Sequence, residues 1–316
     1  MSSFQSYSTK AIVGLAVFIG GLPLLLQAFC HWPLAEWLLG VQLQFSIVSL
    51  VVLASSLLTR SKVAICLSLL AAVLNLWLVL PIYLPASNTA QSLSDPIKLL
   101  SFNVLHQNEQ FESAIEFVLD EDPDIAVFQE VTAPWPEELA VLRKHFQYHH
   151  RADKIQIEVF SKLPIEKIEL DLVGEYRGSV VWETVWDKQR INVIASHCYP
   201  QRYYGQQGFD WRNEQLTERV PALAKRSNSP TLLLGDLNAT SWTPYFSTML
   251  EKSGLKNARQ GFGVFPSCGK TAFGALFCVP YDQCLVSDHW QVQDFRTGPF
   301  LGSDHFPIVV ELRVGH

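Results

Sequence analysis

Seven side chains able to bind cations or move protons stand where short apolar runs stop. Asn103 follows Leu99-Leu100-Ser101-Phe102, Glu130 follows Ile125-Ala126-Val127-Phe128-Gln129, and His197 follows Val193-Ile194-Ala195-Ser196. Asp236 and Asn238 follow Leu232-Leu233-Leu234-Gly235, while Asp304 and His305 lie just ahead of the apolar run from Ile308 to Val314. Each has an ordinary explanation by itself, since Asn and Gly-Asp form turns and a Glu favours a helix start. Together they are carboxylates, amides and imidazoles at strand termini, where a rigid sheet can present several groups at one rim. Carboxylate and amide oxygens are the ligands of a hard divalent cation, which takes one or two protein carboxylates and completes an octahedral shell with water. Glu130 is the best suited ligand, followed by Asn103 and Asp304.

The elements that must position these groups are legible from periodicity. Ile97 to Phe102, Ile125 to Phe128, Ile155 to Phe160, Val180 to Trp186, Ile191 to Ala195, Thr231 to Leu234, Cys284 to Ser287 and Ile308 to Val314 read as strands. Phe111 to Leu119 and Leu216 to Ala224 carry the helical period. The runs on either side of Asp187-Lys188-Gln189-Arg190 predict an antiparallel hairpin. The domain is therefore mixed α/β with substantial antiparallel content, which excludes a plain doubly wound parallel sheet.

Composition divides the 316 residues in two. Up to Ala90 the only formally charged side chains are Lys10, Glu36, Arg60 and Lys62, so 21 basic and 29 acidic residues lie beyond, a charge of -8. Residues 1–86 read as a membrane anchor with three transmembrane helices at about 11–30, 37–59 and 63–86, each near the roughly 20 residues a bilayer crossing needs. A cleaved signal peptide accounts for only the first, and the bulky Phe29-Cys30-His31-Trp32 offers no small-residue cleavage site. Lys10, Arg60 and Lys62 place the N-terminus and the 60–62 turn in the cytoplasm, and an odd number of spans puts the remainder outside. The expected localisation is the cell (inner) membrane, multi-pass. Residues 87–96, rich in Ser, Asn and Thr, read as a linker, and 97–316 as one extracytoplasmic domain.

Several segments in order resemble the endonuclease/exonuclease/phosphatase superfamily with the DNase I-like fold. They are Ser101-Phe102-Asn103-Val104, Pro123 to Val131, Ser196-His197, Gly235-Asp236-Leu237-Asn238-Ala239, Tyr281 to Ser287 and Gly302 to Ile308. The pattern departs from the usual one at Gln283 and Cys198 without removing a catalytic group. The resemblance implies a four-layer α/β/β/α sandwich and hydrolysis of phosphoesters with Mg2+, for which Mn2+ can substitute. It implies that Asp236 positions or deprotonates the attacking water and that Asn238 holds phosphate or water. His305, oriented by Asp282, contacts the scissile phosphate, and His197 stabilises the phosphoryl group or assists the leaving group.

A nuclease is expected to carry a basic face, and a charge of -8 gives no sign of nucleic-acid binding. Tethering to a lipid bilayer favours a phosphorylated, lipid-linked substrate, with an exported nuclease as the rival reading and an inactive phosphate-binding module as the third. The aromatic stretch Tyr199, Tyr203, Tyr204, Phe209 and Trp211 reads either as a packed loop or as one facing substrate or bilayer, with Arg202 and Arg212 offering phosphate contacts. Six cysteines show no zinc spacing, and Cys268 and Cys278 flank a loop that a disulfide could close.

Overall fold

The structure is a computed structural model, and it describes residues 3–85, 95–200, 204–269 and 278–315. They form two units, a helical one up to Leu84 and an α/β one after it. Most of the expected linker, residues 86–94, lies outside the described residues.

The helical unit contains α1 (Ser3–Ala28), α2 (Pro33–Gly40), α3 (Gln42–Leu57) and α4 (Lys62–Val79). Two segments, Tyr7–Ala28 and Lys62–Tyr83, are each long and apolar enough to cross a membrane. The expected middle span corrects to a broken one. α2 and α3 meet at Val41 with a bend of 62°, and only as a pair do they have the length of a third crossing. At the start of α3, Gln42 donates through Nε2 to Asn75 Oδ1 at 2.9 Å. Asn75 Nδ2 in turn donates to the Ile19 and Ala71 carbonyls, at 3.1 and 2.9 Å, and so ties α1, α3 and α4 together. Such side chains act as glue where apolar packing gives no preference over lipid.

The α/β unit runs β1 (Ile97–Asn103), α5 (Phe111–Glu121), β2 (Ile125–Gln129), α6 (Trp135–Leu139), β3 (Tyr148–Ala152), β4 (Ile157–Ser161), β5 (Glu166–Val173), β6 (Arg177–Trp186) and β7 (Gln189–His197). It continues α7 (Gly205–Glu214), α8 (Val220–Lys225), β8 (Thr231–Asp236), α9 (Pro244–Ser253), β9 (Lys256–Asn257), β10 (Asp282–Val286), β11 (Trp290–Thr297) and β12 (Ile308–Val314). Two six-stranded sheets result, ordered β11-β12-β1-β2-β4-β3 and β5-β6-β7-β8-β10-β9. Each has one central parallel pair, β1 with β2 and β7 with β8, flanked by antiparallel neighbours. The halves repeat one plan.

Strand alternation builds the layers. Leu99, Val127, Val193, Leu232 and Ile308 fill the space between the sheets. Their neighbours Leu100, Phe102, Ala126 and Phe128 point outward against Ala114, Val118 and Trp135. On the second sheet Ile194, Leu233 and Leu285 point outward against Leu216, Val220, Phe246 and Met249. The four-layer α/β/β/α sandwich is thereby formed. The predicted hairpin is a two-residue turn with Asp187 and Lys188 at φ 47° and 63°, the conformation whose twist suits paired strands. Gly235 is required where β8 lies on β7, because a Cβ there would sit 1.9 Å from the Ser196 carbonyl.

Candidate active site

The parallel pairs end together. β1 delivers Asn103, β2 delivers Glu130 one residue past its end, β7 delivers His197 and β8 delivers Asp236. The antiparallel partners begin at that same end, so Arg177 opens β6, Asp282 opens β10, and the loop carrying Asp304 and His305 leads into β12. Glu130 and Asn238 occupy left-handed backbone conformations, φ 60° and 48°. Such backbone is costly for a side-chain-bearing residue and is retained where a site needs the direction it gives.

The amide of Asn103 joins the two sheets: its Nδ2 donates to Glu130 Oε1 at 3.3 Å and to Asp236 Oδ2 at 3.1 Å. Asp236 also accepts from the backbone and side chain of Asn238, at 2.9 and 3.2 Å. His305 Nδ1 lies 2.8 Å from Asp282 Oδ2, and its Nε2 faces Asp236 Oδ2 at 3.7 Å. His197 Nε2 is 3.7 Å from Asp236 Oδ2 and 4.0 Å from Glu130 Oε1, yet neither of its ring nitrogens has a hydrogen-bond partner. A fully buried imidazole with no hydrogen-bond partner is uncommon, and the side chain faces the two carboxylates of the rim.

Burial and charge set the protonation pattern. His197 is held well below the usual histidine range by burial, then by the nearby Arg177 and His305 charges, so it is neutral. Burial also works against a charged His305, but Asp282 and its neighbours overcome this and hold the imidazole well above its ordinary range. Burial pushes Asp236 up to about 6 despite the His305 charge. Burial would raise Glu130 too, but Arg177, His106, His305 and Asn103 together hold it below its ordinary value. The rim thus presents a cationic imidazole, a neutral one, a carboxylate poised near neutrality and a fully ionised one.

The donor set suits a hard divalent cation. Glu130 is ionised, and 19% of its side chain remains open to solvent. Asp236 and Asp282 bring carboxylate oxygens within 4.8 Å of one another beside His305, whose protonated ring is not a ligand, and Asp282 Oδ1 is buried without a hydrogen-bond partner. The structure therefore brings together Asn103, Glu130, His197, Asp236, Asn238, Asp282 and His305. Asp304 is adjacent in the loop, but its carboxylate makes no hydrogen bond or ion pair with the others, and its carbonyl accepts from Gly269 N.

Arg212 departs from the expected phosphate contact. It is fully buried, donates to the Asn238 carbonyl at 3.0 Å and lies over the Phe209 and Tyr245 rings, supporting the Asn238 loop from beneath. Arg202 lies outside the described residues. The expected bridge from Cys268 to Cys278 is not made: Cys268 is a free thiol, and its backbone pairs with Val279.

Three contributors have no role in the sequence reading, although Ser303 lies within one of its motif segments. Arg177 Nη2 lies 4.0 Å from Glu130 Oε1, His106 Nδ1 lies 3.2 Å from Glu130 Oε2, and Ser303 Oγ donates to the Asn103 carbonyl at 2.7 Å. The available signal for Arg177 was a cation directly before a strand and a glycine, which is also the pattern of solvated surface.

Similar solved structures share this fold. An endonuclease/exonuclease/phosphatase from Bacteroides vulgatus aligns with TM-score 0.59 at 14% identity, covering 70% of this chain and 99% of its own. Sphingomyelinase C from Streptomyces griseocarneus aligns with TM-score 0.51 at 17% identity, covering 69% and 99%. D. rerio TDP2 complexed with a single-strand DNA product aligns with TM-score 0.56 at 12% identity, covering 70% and 100%. No curated protein sequence matches the chain. The profile of the Endonuclease/Exonuclease/phosphatase family matches residues 100–305, about two thirds of the chain and every rim position described above, and the chain belongs to that family.

Proposed function

We propose that this protein is a membrane-tethered, Mg2+-dependent phosphoesterase acting on a lipid-linked phosphate ester or pyrophosphate. The observation that carries the reading is the rim where both parallel pairs end, at which Asn103, Glu130, His197, Asp236, Asn238, Asp282 and His305 come together. Glu130, with Asn103 and Asp304, would hold the cation, for which Mn2+ could substitute. The chemistry it would supply is neutralisation of charge on the phosphate oxygens. Asp236 takes the proton of the attacking water, for which a carboxyl titrating near 6 is well matched. Asn238, fixed to Asp236 and to the Cys198 carbonyl at 3.1 Å, holds the phosphate or the water. His305, a cation oriented by Asp282 at Nδ1, donates through Nε2 to a phosphate oxygen. His197 gives its open ring to the phosphoryl group or the leaving oxygen.

Two features favour a lipid substrate over nucleic acid. The chain carries two helices able to cross a membrane, and the charge of -8 beyond Ala90 repels a polyanion. The neighbours include proteins named for a lipid and for DNA, so the fold leaves that choice open. The deciding experiment is a side-by-side assay of a lipid-linked pyrophosphate, a phospholipid and plasmid DNA in Mg2+. Release of phosphate or head group from lipid with weak DNA cleavage is expected. Efficient nicking without lipid turnover would reassign the protein as a nuclease.

A further inference from the structure

Eight large apolar side chains of the α/β unit are exposed among the described residues, and they sort by type. The aliphatic ones, Leu119, Val141, Ile168, Leu170 and Val185, lie on the helical layer, on the edge strand β5 or near the hairpin far from the rim. The three aromatics, Tyr176, Tyr204 and Phe300, are 48%, 40% and 48% exposed, and all lie on loops at the catalytic end.

These rings are propped from below. The backbone N–H groups of Glu175 and Tyr176 donate to the hydroxyl of buried Tyr199, at 2.6 and 3.0 Å. Tyr199 packs edge-on to Tyr204 at 5.1 Å and against Trp211 at 4.8 Å. Tyr176 directly precedes Arg177, whose guanidinium reaches toward Glu130. On the other side of the mouth, Phe300 packs on Phe306 at 6.3 Å, next in sequence to His305. Exposed apolar rings held rigidly around a reaction centre are the arrangement of an interaction surface, whereas single scattered ones are ordinary.

We propose that Tyr176, Tyr204 and Phe300 form a docking rim that enters the head-group layer of a zwitterionic bilayer and sets the reaction centre at the level of lipid phosphates. The proposal rests on the phosphoesterase reading above and adds how the substrate is reached. A bilayer is the fitting occupant because the same chain carries helices able to cross one. Tyr and Phe rings partition to the depth where chains meet head groups. The acidic charge of the domain makes apolar insertion, rather than attraction to anionic lipid, the source of contact.

The test uses the full chain in phosphatidylcholine vesicles. A photoreactive phenylalanine analogue replaces Tyr176, Tyr204 or Phe300 in turn, with Val185 as the control position. Lipid adducts at the three rim positions and none at Val185 are expected. In parallel, the triple variant Tyr176→Ser, Tyr204→Ser, Phe300→Ser is expected to hydrolyse a water-soluble phosphodiester within twofold of the parent rate while lipid turnover falls at least tenfold. Absence of rim adducts, or equal adducts at Val185, overturns the proposal even if the parent hydrolyses lipid. Rim adducts without lipid hydrolysis by the parent uphold docking and count against the lipid substrate instead. An equal loss on soluble and bilayer substrates overturns docking in favour of rings that contact the substrate itself.

Discussion

Asp236 is fully buried, and its carboxyl accepts hydrogen bonds from Asn103 and Asn238 while titrating near 6. Because its folded value lies above the unfolded one, near 4, the fold favours the protonated form. That contribution is fully present below about pH 4 and is lost as pH rises through about 6. At pH 8 the metal-free protein therefore carries a buried carboxylate at a cost, and Asp236→Asn removes it. Thermal unfolding in EDTA should show Asp236→Asn more stable than the parent by about 1 to 3 kcal/mol at pH 8, with the gap closing toward pH 4. An equal or lower midpoint at pH 8 would contradict the assigned shift. At this scale the sequence was informative where residue type was unusual for its place, as with Glu130 and Asp236 at strand ends. It was uninformative for Arg177 and Arg212. An arginine reads alike in sequence whether its head reaches a carboxylate, as that of Arg177 at the start of β6 does, or turns beneath a loop, as that of Arg212 in α7 does.

The elements hold the reactive groups through backbone contacts that no motif records. Arg259, fully buried, donates through Nη1 to the Val264 and Phe265 carbonyls and through Nη2 to the Asp282 carbonyl at 2.6 Å, and it lies 4.4 Å over the Phe295 ring. Burial lowers its pKa to about 9, with the Asp282 charge opposing. Arg259→Met removes three hydrogen bonds to backbone carbonyls, so urea unfolding should show a loss of about 2 to 4 kcal/mol. An unchanged midpoint would mean that the loops carry Asp282 without the clamp. The strands themselves were legible in a graded way. All eight expected from apolar runs exist, whereas β3, β5, β9 and β11 were not expected, and these are the four sheet edges. An edge strand is covered on fewer sides, so Tyr148–Ala152 and Glu166–Val173 keep charged residues and lack the apolar run that marks a central strand. In the middle segment, averaged hydropathy does not register the 62° bend at Val41, and the pair has the length of a third span only if both helices count together.

For the whole molecule, the proposed membrane topology turns on whether the bent pair α2 and α3 counts as one crossing. If α2 and α3 together cross, Lys10, Arg60 and Lys62 share one face, and the α/β unit lies on the opposite one. If the pair turns back, Lys10 is separated from Arg60 and Lys62, against the charge rule. The account therefore expects a reporter fused after Thr59 to be cytoplasmic and one fused after Ala90 to be exported. A cytoplasmic reporter after Ala90 would establish two crossings. The chemistry at the rim is independent of that outcome, and its most direct test is hydrolysis of a soluble phosphodiester by the purified full-length protein, with Mg2+ or EDTA, beside Glu130→Gln. The account predicts turnover that requires the cation, is abolished by EDTA and falls at least 100-fold in Glu130→Gln with the fold intact by circular dichroism. Turnover unaffected by EDTA, or a Glu130→Gln variant at the parent rate, would contradict it.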